Sequence, residues 1–131
     1  MAQIPEKYAD LLTNKTAFAH LATVMPDGSP QTTPVWFDFV DGKVRVNTAR
    51  GRVKDANMSR NPIVALSISD PANPYRYMQI RGKARATLEG ADAHIDSLAK
   101  KYMGKDSYPF RTPTEVRVIY EIEPTSVQAQ G

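Results

Sequence analysis

The sequence contains no cysteine, which rules out disulfides, thiolate metal ligands and a cysteine nucleophile, and is compatible with a reducing cytoplasm. Histidine is nearly as scarce. His20 and His94 lie far apart, without the H-x-x-x-H or H-E-x-x-H spacing that seats a metal, so no metal site is expected. His20 reads as a strand histidine and His94 as a residue of a polar helix face. No run approaches the roughly 20 apolar residues that span a bilayer. The N-terminal MAQIPEKYADLL lacks the basic stretch and apolar run of a secretion leader, so a soluble, cytoplasmic protein with no membrane partner is expected. The phosphate loops GxGxxG and GxxxxGK[ST] and the serine elbow GxSxG are also missing. A self-sufficient hydrolase or Rossmann enzyme is therefore disfavoured, and any redox chemistry would belong to a bound cofactor.

What is present fits one domain, residues 1–131. Hydrophobic residues make up 41% and charged residues 24%, the balance of a globular chain, and ten prolines mark repeated turns. A short helix is predicted over 5–13, with Pro5 in its first turn. Strands are predicted over 16–25 and 31–40, the second continuing through Pro34, and Pro26-Asp27-Gly28-Ser29 turns between them. Asp41-Gly42 is a hairpin turn into a strictly alternating strand over 43–48. A short helix over 53–60 stops at Asn61-Pro62. The apolar run 63–69 reads as a strand covered on both sides, and Pro71-Ala72-Asn73-Pro74 as a loop. The alternating strand 75–88 bends at Gly82, a helical stripe fills 90–102, and a last strand over 116–122 closes at Pro124. Six strands joined by short connections, with small helices, point to a mainly β closed antiparallel barrel.

The net charge is only +3, but basic residues gather between Lys43 and Arg60 and between Arg76 and Arg85. Two local patches suit a small anion better than a duplex, so no nucleic-acid partner is expected. The first patch is the more informative. A β-branched strand runs into Thr48-Ala49-Arg50-Gly51-Arg52, and a helix opens two residues later at Lys54. Backbone N–H groups at a strand-to-helix junction, a glycine that permits close approach, and three cations make a phosphate cradle.

The order of segments around that loop carries a resemblance. PDGSPQTTPVWFDF, the DGKVRVNT hairpin, RGRVKDAN, NPIVALSI and YRYMQIRGKARA resemble the split β-barrel flavin and deazaflavin oxidoreductases of the pyridoxamine 5'-phosphate oxidase-like superfamily. The G-x-P, K-x-x-N and G-x-A motifs within them are similar to the branch that uses the deazaflavin coenzyme F420. The resemblance implies a split antiparallel β-barrel of six or more strands, of the FMN-binding type, assembled as a homodimer. It implies that Arg52 and Lys54 hold the cofactor phosphate, with Asn47, Thr48 and Arg50 completing the pocket. Thr33, Pro34 and Val35 match the strand against the ring, and Tyr75, Tyr77 and Gln79 match positions that reach the cofactor of the neighbouring subunit.

The implied activity is transfer of hydride from C5 of reduced F420 to an electron-poor small molecule, such as an activated alkene, imine or tetrapyrrole. The alternatives are an FMN-binding reductase or oxidase on the same barrel, and a non-catalytic cofactor or haem carrier. Rim cations at Arg50, Arg76, Arg81 and Lys83 would favour the polyglutamate tail of F420. Exposure of Trp36, Phe37, Tyr75 and Tyr77 would leave a patch suited to a dimer interface.

Overall fold

The computed structural model describes residues 2–14 and 16–131. Seven antiparallel strands form one sheet: β1 (Ala19–Val24), β2 (Pro30–Val35), β3 (Asp38–Val40), β4 (Lys43–Ala49), β5 (Ile63–Asp70), β6 (Asn73–Thr87) and β7 (Arg117–Gln130). Their order is β2-β1-β5-β6-β7-β4-β3. A 3-10 turn (Glu6–Tyr8) and α1 (Asp10–Thr13) precede the sheet, α2 (Val53–Arg60) follows β4, and α3 (Ala91–Met103) connects β6 to β7. Inward side chains including Leu21, Val44, Val46, Leu66, Ile68, Met78, Ile80, Val118, Tyr120 and Ile122 pack one core, which Leu11 and Leu12 of α1 cap. Among the described residues no helix is long and apolar enough to cross a membrane.

Local chemistry explains the joints. Asp41 and Gly42 both take positive φ, as a two-residue hairpin turn requires, and pair Val40 with Lys43. At Gly82 the β6/β7 register shifts, and a Cβ there would run into the Glu123 carbonyl oxygen, so only glycine lets the strands bend this closely. Gly104 ends α3 in the left-handed region, and its N–H donates to the Lys100 carbonyl.

Four expectations are corrected. The segment 31–40 is not one strand: β2 stops at Val35 and β3 restarts at Asp38, because Phe37 turns inward and is fully buried instead of exposed. The strand β5 is not covered on both sides; Val64, Leu66 and Ile68 face inward while Ile63 and Ser67 are exposed. Pro124 does not end the last strand, which runs on to Gln130 because the shift at Gly82 lets β6 pass the residue that cannot donate. The predicted loop at 71–74 shrinks to a turn, since β6 already begins at Asn73.

The split of the barrel lies between β2 and β3, the two edges of the sheet, which are consecutive in sequence and joined by Trp36-Phe37. The last turn of α3 covers that gap. Lys101 Nζ donates to the Phe37 carbonyl at 2.8 Å, while Tyr102 OH donates to the Ala17 carbonyl at 2.7 Å and accepts the Phe37 N–H at 3.3 Å. Backbone groups that no ladder can reach are thereby satisfied by side chains.

Candidate functional site

The loop from β4 into α2 is held by Asp55, an acid in the first helical turn. Its carboxylate accepts the Gly51 N–H at 2.9 Å, Arg50 at 2.9 Å and the Tyr120 hydroxyl at 2.6 Å. Burial pushes the Asp55 carboxyl up, and the hydrogen bonds from Tyr120, Gly51 and Arg50 outweigh it, so the group is held below the usual carboxylate range. Asn57 fastens the next turn, donating to Thr23 Oγ1 at 3.0 Å and accepting from Arg60 at 2.8 Å. With the helix fixed from below, Arg52 and Lys54 are left to face a cavity of about 250 Å³.

That cavity lies against the split of the barrel. Pro34, Val35 and Trp36 form one wall, Asn47 of β4 forms part of the base, and Arg117 at the start of β7 joins Arg52 and Lys54. Ile95 and Leu98 of α3 supply an apolar side, and Tyr108 and Phe110 come from the segment after α3. Trp36 both packs and lines: it stacks on Tyr102 with centroids 5.3 Å apart at 3°, and meets Tyr108 edge-on at 6.2 Å.

The cations are unequally satisfied. The side chain of Arg117 is 3% exposed; its Nε donates to Asn47 Oδ1 at 2.9 Å, Glu115 lies 3.3 Å from its NH1, and the Tyr108 ring lies 5.2 Å from its guanidinium. Arg52 reaches the same Glu115 at 3.7 Å. Lys54 has no hydrogen-bond or ion-pair partner among the described residues. Burial lowers its pKa, and the like charges of Arg52 and Arg117 lower it further. Three cations with one carboxylate between them are short of negative charge, which suits a phosphate or another compact anion.

A chain of polar contacts sets the base. Asn47 Nδ2 donates to the Ala91 carbonyl at 2.9 Å and to His94 Nδ1 at 3.0 Å, which leaves the imidazole proton on Nε2. Nε2 lies 3.2 Å from Asp38 Oδ2, off the line of a hydrogen bond, and Arg45 holds that carboxylate in a fork at 2.8 and 2.7 Å. Burial pushes the Asp38 carboxyl up, but His94 and Arg45 together bring it down to about 2. His94 is thus a buried member of the network and not a residue of a polar face, because Asn47 supplies a hydrogen-bond partner inside and the Asp38 carboxylate lies beside the ring.

The structure gathers five of the residues singled out from sequence around this cavity: Pro34, Val35, Asn47, Arg52 and Lys54. Thr33 and Thr48 adjoin it in sequence, each with its hydroxyl buried and unpartnered among the described residues. Arg50 is engaged by Asp55. Tyr75, Tyr77 and Gln79 stand on β6 outside the cavity; Tyr75 is 83% exposed, and Tyr77 and Gln79 line a polar groove with Gln128 and Gln130. Among the rim cations, Arg76 is tied to Asp10 at 2.6 Å and Asp70 at 3.1 Å, which fastens α1 to β6. Arg117, Glu115, Tyr108 and His94 were not singled out as site residues. Of these only His94 carried a signal, since it falls three residues after Ala91 and four before Leu98 on the apolar stripe. Among the described residues no cluster could hold a metal ion.

Known proteins extend this geometry. The pyridoxamine 5'-phosphate oxidase family profile matches residues 4–131. A solved F420 reductase is 35% identical, superimposes with a TM-score of 0.83, and is matched over 95% of this chain and 98% of its own. Rv2991 of Mycobacterium tuberculosis (22% identity, TM-score 0.75, 98% of this chain and 85% of its own) shares the fold. So does general stress protein 26 of Bacillus anthracis (17% identity, TM-score 0.71, 95% and 92%). No curated protein is matched. With a profile match over nearly its whole length and a relative more than one-third identical, the chain belongs to the pyridoxamine 5'-phosphate oxidase family of split β-barrels.

Proposed function

We propose that this protein is an F420-dependent oxidoreductase that passes hydride to an electron-poor small molecule, an activated alkene, imine or tetrapyrrole. The observation that carries the reading is the convergence of Arg52, Lys54 and Arg117 on a cavity walled by Pro34, Val35 and Trp36 at the split. The 35% identity to an F420 reductase supports the choice of cofactor. The reduced deazaflavin supplies an obligate two-electron donor at C5. The chain's own part is to bind and orient. Lys54 and Arg52 hold the phosphate by charge-assisted hydrogen bonds, Arg117 is fixed by Asn47 beside them, and the Pro34-Val35-Trp36 wall excludes water from one side. FMN on the same barrel is the second reading, since the same three cations fit its phosphate.

A homodimer belongs to this proposal. The cavity of one chain, about 250 Å³, falls below the roughly 300–1,000 Å³ of sites that enclose a drug-sized ligand. Tyr75, Tyr77 and Gln79 of a second subunit would supply the missing wall. An apolar groove on the outer face of β1, β5 and β6, lined by Ala22, Ile63 and Ala65, supports a docking face for that subunit. Reduced F420 mixed with the protein should persist until an electron-poor acceptor is added, and then be oxidised in stoichiometric amount. Acceptor reduction with reduced FMN but never with reduced F420 would replace this reading with the second.

A further inference from the structure

Glu115 stands where the cationic side of the cavity meets the segment that carries Tyr108 and Phe110. Its side chain is 8% exposed, and a single oxygen, Oε2, faces both Arg117 at 3.3 Å and Arg52 at 3.7 Å. The other oxygen accepts the Thr112 N–H at 3.4 Å, a long contact within its own loop. Both guanidiniums border the cavity, as does Lys54, which has no ion-pair partner among the described residues. An incoming phosphate would share its cations with a carboxylate already in place.

We propose that Glu115 is a specificity-determining residue, an internal anion between Arg52 and Arg117 that narrows the advantage of a doubly charged phosphate monoester over a singly charged diester. The inference rests on the phosphate site proposed above, and not on which flavin occupies it. Arg52, Lys54 and Arg117 bring three positive charges and Glu115 one negative, leaving two. The repulsion between Glu115 and a phosphate scales with the phosphate charge, so it weighs about twice as heavily on a monoester as on a diester. A residue that merely packed the loop would change stability and leave this ratio alone.

The test uses two ligands that differ by one phosphate charge and one methyl group, FMN and its phosphate monomethyl ester, titrated by flavin fluorescence against wild type and Glu115→Gln, so that the effect of the methyl group cancels between the two proteins. The variant should bind FMN about tenfold more tightly and the methyl ester about threefold, a threefold change in their ratio. If both ligands bind and the ratio stays at the wild-type value, the role of Glu115 is overturned while the phosphate site stands. If neither ligand binds either protein while F420 does, the role of Glu115 is overturned and the phosphate site stands; if F420 fails as well, both fall. Should Glu115→Gln fail to fold, the carboxyl 13C resonance of Glu115 in the wild type gives the answer. It should move further on saturation with FMN than with the methyl ester, and an equal or absent movement overturns the inference.

Discussion

Lys54 is half-buried beside two arginines, with no hydrogen-bond or ion-pair partner among the described residues, and an anion in the cavity would relieve that repulsion. Charge-assisted hydrogen bonds contribute about 1.5–3 kcal/mol each, so Lys54→Ala should weaken cofactor binding by about tenfold or more while the far-UV spectrum stays unchanged. Lys54→Arg should keep the affinity at neutral pH and change its alkaline limb. The lysine titrates below its ordinary 10.5, and the neutral amine cannot hold an anion, so wild-type affinity falls as pH rises through that lowered value; the arginine variant stays charged. Equal affinity of Lys54→Ala and wild type in a fluorescence titration would contradict the assignment. Lys54 and Arg52 were legible because a strand ending in R-G-R-x-K is a local pattern. Arg117 was not: it reads as one outward position of an alternating strand, and only the packing of α3 against β7, with Tyr108 over its guanidinium, turns that position inward. Phe37 escaped for a similar reason, since nothing in P-V-W-F-D-F says where one edge strand stops and the other begins.

At the scale of elements, the molecule depends on α3 to close the gap between β2 and β3. The helix itself was legible, with apolar residues at Ala91, Ile95, Leu98, Ala99 and Tyr102 and a stop at Gly104. Its seat was not, because the Lys101 and Tyr102 contacts join residues more than 60 positions apart. The short strand β3 is tied to β4 and α3 through Asp38, Arg45 and His94. Asp38 sits at about 2 against an unfolded value of 3.8, a depressed carboxyl, so its stabilisation is complete above about pH 4 and is lost as pH falls through 2. The difference corresponds to about 2 kcal/mol. Urea unfolding should therefore show wild type losing about 2 kcal/mol more than Asp38→Asn between pH 7 and below pH 2. Parallel losses in the two proteins would mean that Asp38 does not anchor the edge.

For the whole molecule, the barrel class was legible from strand spacing and turn residues. The split was legible only through resemblance, because closure is a property of edges that no single segment reveals. The proposed assembly rests on the small cavity and on the apolar groove on the outer face, where Ile63 is 51% exposed. Light scattering at micromolar concentration should report two 14.5 kDa chains per particle. A single-chain particle that binds cofactor at full affinity would contradict the proposed role of Tyr75, Tyr77 and Gln79.

The central claim, that this family member uses F420, is tested most directly by side-by-side titrations of the protein with F420 and FMN over a range of salt. Arg81 and Lys83 are exposed on β6 beside the outer groove, and in the proposed dimer they would stand at the rim of the partner's cavity as charges worth about 0–1 kcal/mol each that salt screens. F420 should bind more tightly than FMN at low ionic strength, with the gap narrowing as salt rises. Equal or tighter binding of FMN at every salt concentration would contradict the claim.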